Sequence, residues 1–190
     1  AGVVSHTGVG GYTLGGGFGR LNRKYGLTVD NVRGAEIITA DGEVRRISAD
    51  HEPDLFWAIR GGGGNFGVVT GVEYQVHPFD RNVLSGSIVW PIEMARDVLE
   101  YYAEAAAGFS DEMYIGPVMA RNPDLGDVIV MDVVYNGDPS DGEKELEALR
   151  AVGTPVVDGV IMQDYMVMQT INDVAFGHGI RSYAKNGMVK

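Results

Sequence analysis

The chain has 190 residues, 45% of them hydrophobic and 22% charged, with 15 basic against 26 acidic residues for a formal net charge of −11. That balance excludes a nucleic-acid binder, which needs clustered Lys and Arg to neutralise phosphates, and a basic membrane-surface helix. Cysteine is absent and glycine numbers 28, which excludes disulfides, thiolate metal sites and a cysteine nucleophile and turns attention to what the bare backbone does.

In chain order, the first feature is "GVGGYTLGGGFG", residues 8–19, read as a glycine-rich loop. "AEIITADGEVRRIS" follows, two β-branched runs around Asp41-Gly42, and predicts a hairpin. "PDLFWAIR" predicts a helix with Pro53 in its first turn and Leu55, Phe56 and Ile59 on one face, Trp57 anchoring it to a sheet. A second glycine cluster, "RGGGGNFGVVT" at residues 60–70, leads into a strand through Val69, Val72, Tyr74 and Val76. A domain boundary is placed at "HPFDRN", residues 77–82, which divides the chain into 1–80 and 81–190.

Beyond it, "SGSIVW" predicts a strand and "IEMARDVLEYYAEAAAG" an amphipathic helix ending at Gly108. "EMYIGPVMA" and "DVIVMDVVYNG" predict two strands, and "PSDGEKELEALRAVG" a helix with Asp141 or Ser140 near its cap. "VVDGVIM" predicts a short strand and "QDYMVMQTI" a helix. The order β-α-β-β-α-β implies an α+β fold, an antiparallel sheet with helices on one face. No apolar run approaches the roughly 20 residues of a membrane span, and no secretory signal opens the chain. The cytoplasm is the favoured location. Both ends look cut, so a piece of a longer protein is expected.

Gly62, Gly64 and Gly67 spell a literal G-x-G-x-x-G. A Rossmann site is rejected on order, because its glycine turn follows a strand and opens a helix, whereas here a helix precedes and a strand follows. The first cluster has Thr13 where a third glycine belongs, and no Gly-Lys pair marks a phosphate loop. Two readings stay open for the glycines. Tight turns and close packing use them for conformational freedom, and a bared row of N–H groups can line an anion or a flat ring.

Residues 2–78, from "GVVSHTGVGGYTLGGGFGRLNRKYGLTVDNVRGAEIITADGEV" to "PDLFWAIRGGGGNFGVVTGVEYQVHP", resemble the second part of the FAD-binding domain of FAD-linked oxidases. The type is that of vanillyl-alcohol oxidase and p-cresol methylhydroxylase (PCMH-type), in its berberine-bridge-enzyme-like branch. "VVYNGD", "VGTPVVDGVIMQDYMVMQ" and "RSYAKN" are similar to that family's substrate domain.

The resemblance implies FAD as cofactor and a small organic substrate (alcohol, amine, sugar or phenolic) oxidised by hydride transfer, with O₂ reoxidising the flavin. It implies that Thr7, Gly8, Val9, Gly10 and Gly11 approach the pyrophosphate and ribityl side. Leu14, Gly15, Gly16 and Gly17 approach the isoalloxazine edge, Gly19 ends the segment that wraps the flavin, and Gly64, Asn65, Gly67 and Val69 close the adenine side or the middle of the cofactor. Cysteinyl attachment is excluded, since Val4 occupies that position, and His6 does not match the family's flavin-linked histidine. No catalytic residue is assigned by motif. A non-catalytic core that no longer holds FAD, and a dehydrogenase that avoids O₂, are the alternatives.

Other residues have plainer explanations. Asp30 and Asn31 read as turn or capping residues before they read as ribityl or flavin partners. Tyr114, Tyr135 and Tyr165 read as core aromatics, or as substrate-positioning or basic groups if a pKa were lowered. Met162, Met166 and Met168 read as packing. His6, His51, His77 and His178 have no metal-ligand spacing.

Overall fold

The computed structural model describes residues 2–174 together with 176, 177, 179, 183 and 185. The first glycine cluster is not a loop throughout. Val9–Leu14 forms a short helix, α1, and Asn22–Tyr25 a single turn, α2. A 3₁₀ turn, Thr28–Asn31, then leads into a three-stranded antiparallel sheet of β1 (Val32–Ile38), β2 (Val44–Ser48) and β3 (Val68–Tyr74), in the order β2-β1-β3.

The predicted hairpin joins β1 to β2. Asp41 Oδ1 accepts from the Thr39 hydroxyl at 2.5 Å and from the Glu43 amide at 3.1 Å, and Gly42 takes φ 81°. Helix α3 (Pro53–Gly62) starts at its proline and buries Phe56 and Ile59 against Val32, Ala35, Ile37 and Ile47. Trp57 does not anchor it. One residue beyond Phe56 is about 100° round the helix, and Trp57 is 76% exposed. Val76, read as part of the strand, lies beyond β3 and is exposed.

Residues 75–81 lead to the second sheet. It contains β4 (Asn82–Pro91), β5 (Met113–Asn122), β6 (Gly126–Tyr135), β7 (Val157–Asp158) and β8 (Ile161–Asp164). Its order is β5-β6-β4-β7, with β8 pairing the other half of the same β4 edge, and every pairing is antiparallel. Between β7 and β8 the chain presses onto β4 at Gly86, where an added Cβ would lie 2.1 Å from the Gly159 carbonyl oxygen.

Helices α4 (Ala95–Ala105) and α5 (Pro139–Arg150) cover one face of this sheet. Alternation along the strands sends Leu84, Ile88, Trp90, Ile129, Met131 and Val133 into that layer, where Val98, Leu146 and Leu149 meet them. The Trp90 indole N–H donates to the Val152 carbonyl at 2.7 Å. The cap of α5 is Asp138, whose side chain accepts from the Ser140 amide; Pro139 starts the helix, and Ser140 and Asp141 lie in its first turn beside the cap. The last helix, α6 (Tyr165–Gln169), is capped by Asp164.

The architecture is thus the expected α+β one. The sheet face opposite α4 and α5 carries Val83 and Val134, with Tyr165 and Met168 of α6 and Leu21, Phe79 and Tyr114 packed around them. That face meets the glycine-rich segment.

Candidate cofactor site

Helix α1 begins at Gly8 with no side-chain cap. The first amides of any α-helix have no acceptor inside it, so Val9, Gly10 and Gly11 present bared N–H groups, with the positive end of a short dipole behind them. A Cβ built on Gly8, Gly10, Gly11 or Gly64 meets nothing within 4 Å. Packing within this chain does not require glycine there, while a ligand pressed against the backbone does. Cα atoms of α1 come within 8 Å of the second glycine bend, Gly63–Phe66, and of α3. The two clusters, about 50 residues apart in sequence, therefore stand side by side. Both stretches are exposed, and their bare backbone leaves room for a ligand to approach closely.

The other expected contacts divide differently. Leu14 is the last residue of α1 and packs its side chain on the α3 core. The Gly15 amide donates to the Gly11 carbonyl at 3.1 Å and the Gly16 amide to the Thr13 carbonyl at 3.0 Å, while the Gly16 and Gly17 carbonyls accept from Val29 and Thr28. The Gly15 and Gly16 amides are thus engaged and offer surface, not free donors. Gly17 and Gly67 are explained by packing. A Cβ would lie 2.6 Å from Thr28 Cβ in the first case and 2.4 Å from the Ile38 carbonyl oxygen in the second. Asn65 bonds the Gly62 carbonyl with its side-chain amide, Val69 is half-buried, Thr7 is exposed and Gly19 is buried.

Beside α1 opens a cleft of about 430 Å³ lined by Val9, Tyr12, Gly17, Gly19, Tyr25, Thr28, Asn31, Tyr74, His77 and Phe79 among others. Its aromatic lining was not read from sequence, because the side chains come from four separate segments. Tyr12 Oη is buried without a hydrogen-bond partner; the Thr28 hydroxyl is near but out of bonding geometry, and burial pushes the Tyr12 pKa up. His77 stacks on Tyr25 at 4.7 Å and its Nε2 lies 2.6 Å from Asn31 Oδ1. The Thr13 and Tyr74 hydroxyls pair at 2.7 Å.

Asp30 and Asn31 do play the capping role: Asp30 accepts from the Leu27 amide at 2.9 Å and Asn31 donates to the Tyr25 and Leu27 carbonyls. The three tyrosines separate. Tyr135 lies in the α4–α5 layer, whereas Tyr114 and Tyr165 lie on the opposite face. Burial raises the pKa of each, the reverse of what a phenolate base needs. Tyr165 Oη is buried without a partner. Among the described residues no group of three His, Asp or Glu could hold a metal ion, and no helix is long and apolar enough to cross a membrane. His178 lies outside the described residues.

Bared helical amides, a second glycine bend beside them and an antiparallel sheet packed on the first glycine-rich segment fit a flavin-type oxidoreductase. A family model described as an FAD binding domain matches residues 1–48. An FAD-linked oxidoreductase of Dictyostelium discoideum is 34% identical over the whole of this chain and 41% of its own length. The crystal structure of 6-hydroxy-D-nicotine oxidase from Arthrobacter nicotinovorans is 32% identical, with a TM-score of 0.83 over 95% of this chain and 40% of that one. A berberine-bridge-enzyme-like protein of Arabidopsis thaliana is 30% identical, with a TM-score of 0.72 over 78% of this chain and 30% of its own. The chain is similar over its whole length to FAD-linked oxidoreductases, and it spans about two fifths of the length of the first curated relative it matches.

Proposed function

We propose that the protein is an FAD-dependent oxidase acting on a small organic substrate (an alcohol, amine, sugar or phenolic), with FAD seated on α1 and the Gly63–Phe66 bend. The observation that carries this reading is the set of glycines at 8, 10, 11 and 64, each facing space that no described residue fills. When bound, FAD supplies the hydride acceptor, with O₂ taking the electrons onward.

In this reading the Val9, Gly10 and Gly11 amides hold the diphosphate without a lysine or arginine, which reconciles the site with a net charge of −11. Leu14 to Gly17 and Gly19 offer a smooth wall to the ring system, and Gly64 to Val69 close the opposite flank. The second sheet shields the reacting face from water. Tyr114 and Tyr165, kept protonated by burial, act there as hydrogen-bond donors and not as bases. The similarity to a 6-hydroxy-D-nicotine oxidase is the reason amines are kept in the proposed substrate class. Titration with FAD, followed by anaerobic addition of amines, alcohols and sugars and then air, tests the reading. Bleaching of the yellow absorbance by one class and its return in air is the expected result. A protein that takes up no FAD refutes the reading.

A further inference from the structure

The segment between the glycine turn and the 3₁₀ turn, "GRLNRKYG", was read in sequence only as part of the glycine-rich segment. In the structure its three cations all leave the first sheet's side and end on the second. Arg20 is fully buried along its side chain. Its Nε and Nη2 both donate to Asp132 Oδ2, at 2.9 and 2.8 Å, and its Nη1 donates to the Val3 carbonyl at 3.1 Å. Asp132 stands in the middle of β6, opposite Ser87 of β4 and Gly116 of β5.

Arg23 donates to the Ala106 and Phe109 carbonyls at 3.3 and 2.8 Å, just past the end of α4, where a cation also answers the negative end of the helix dipole. Lys24 donates to the Asn136 carbonyl at 2.6 Å and lies 3.6 Å from Glu112.

We propose that Arg20, Arg23 and Lys24 form a clasp that sets how the glycine-rich segment stands over the second sheet, with Arg20 as its buried positioning residue. Two units joined by a short linker move relative to one another unless their interface prevents it. A fork of donors with fixed directions prevents it better than apolar contact, because a guanidinium bonds only along its own plane. Arg20 ties three pieces of chain at once: residues 2–4, the glycine turn and β6. The meaning of the clasp for catalysis, a fixed spacing between the cofactor wall and the substrate sheet, rests on the proposed function, but the geometry of the clasp does not.

The test uses the absence of cysteine. Trp57→Cys on α3 and Glu104→Cys on α4 place one spin label on each unit at exposed positions. Pulsed electron–electron resonance then reads the distance between them without FAD. A single narrow distance is expected in the otherwise unchanged chain. Arg20→Lys keeps the charge but loses the fork, and Arg20→Met with Asp132→Leu removes the buried charge pair without leaving one partner unpaired. Both are expected to broaden the distribution about twofold as the units gain freedom, with the circular dichroism of both sheets retained. Variants that melt earlier yet keep the narrow distance overturn the proposal, since Arg20 is then only a stabiliser. A chain with the expected distances that binds no FAD supports the clasp and refutes the flavin reading, so the two fail separately.

Discussion

Gly10→Ala and Gly67→Ala are the same change at two glycines of the candidate site, and the structure demands opposite outcomes. At Gly67 the new Cβ would sit 2.4 Å from the Ile38 carbonyl oxygen, at φ 146°. A carbon approaches a carbonyl oxygen no closer than about 3.3 Å, so β1 and the entry to β3 must part by roughly an ångström. Overpacking and a disfavoured φ together cost about 3 kcal/mol, which lowers the melting temperature by about 6–12 °C in a chain of this size. At Gly10 the Cβ meets nothing and the residue is helical. Alanine there stabilises by about 0.5–1 kcal/mol, raising the melting temperature by about 1–4 °C, yet it stands where the diphosphate is proposed to lie. FAD affinity falls at least about tenfold, equivalent to about 1.4 kcal/mol. Thermal circular dichroism and flavin-fluorescence titration read the two effects. A Gly10→Ala protein that binds FAD as tightly as before refutes the assignment of the bared amides to the cofactor.

Trp90, fully buried and bonded to the Val152 carbonyl, is expected to cost about 3–5 kcal/mol on replacement by alanine, measured by urea unfolding. The Asp41 carboxyl is held at about 2 against an ordinary 3.8, first by the Thr39 hydroxyl, then by the Glu43 amide and Arg45. A pKa depressed on folding contributes stability above the unfolded value and loses it as pH falls through the folded one. The hairpin therefore weakens between those two values, and Asp41→Asn flattens the acid limb of a melting-temperature profile. Tyr114 and Tyr165 have pKa values raised above 10.0 by burial. Their contribution is present below that pH and is lost as pH rises, so phenolate absorbance from the buried tyrosines is expected to appear late in an ultraviolet titration, with alkaline unfolding.

The elements were largely legible because each depends on local rules. Asp41-Gly42 between β-branched runs made the β1–β2 hairpin, and Pro53 started α3. Alternation from Ile88 to Trp90 and from Ile129 to Val133 gave two strands with one face for α4 and α5. Errors came where a neighbour in space decided. Trp57 has the composition of an anchor, but the helical angle turned it to solvent. Residues 9–14 look too glycine-rich for a helix, yet α1 forms because Leu14 and the buried Thr13 pack it against the first sheet's core.

From the sequence alone followed the acidic charge, the lack of any thiol, the α+β order of elements and the presence of two glycine clusters. These are properties of composition and near neighbours. Only the folded chain showed which glycines serve packing, as Gly17 and Gly67 do, and which face open space, as Gly10 and Gly64 do. It alone brought the two clusters together and set Arg20 against Asp132, residues 112 positions apart. The reason is physical: a missing Cβ has no signature of its own in a sequence, and its purpose is fixed by whatever stands within 4 Å of it after folding.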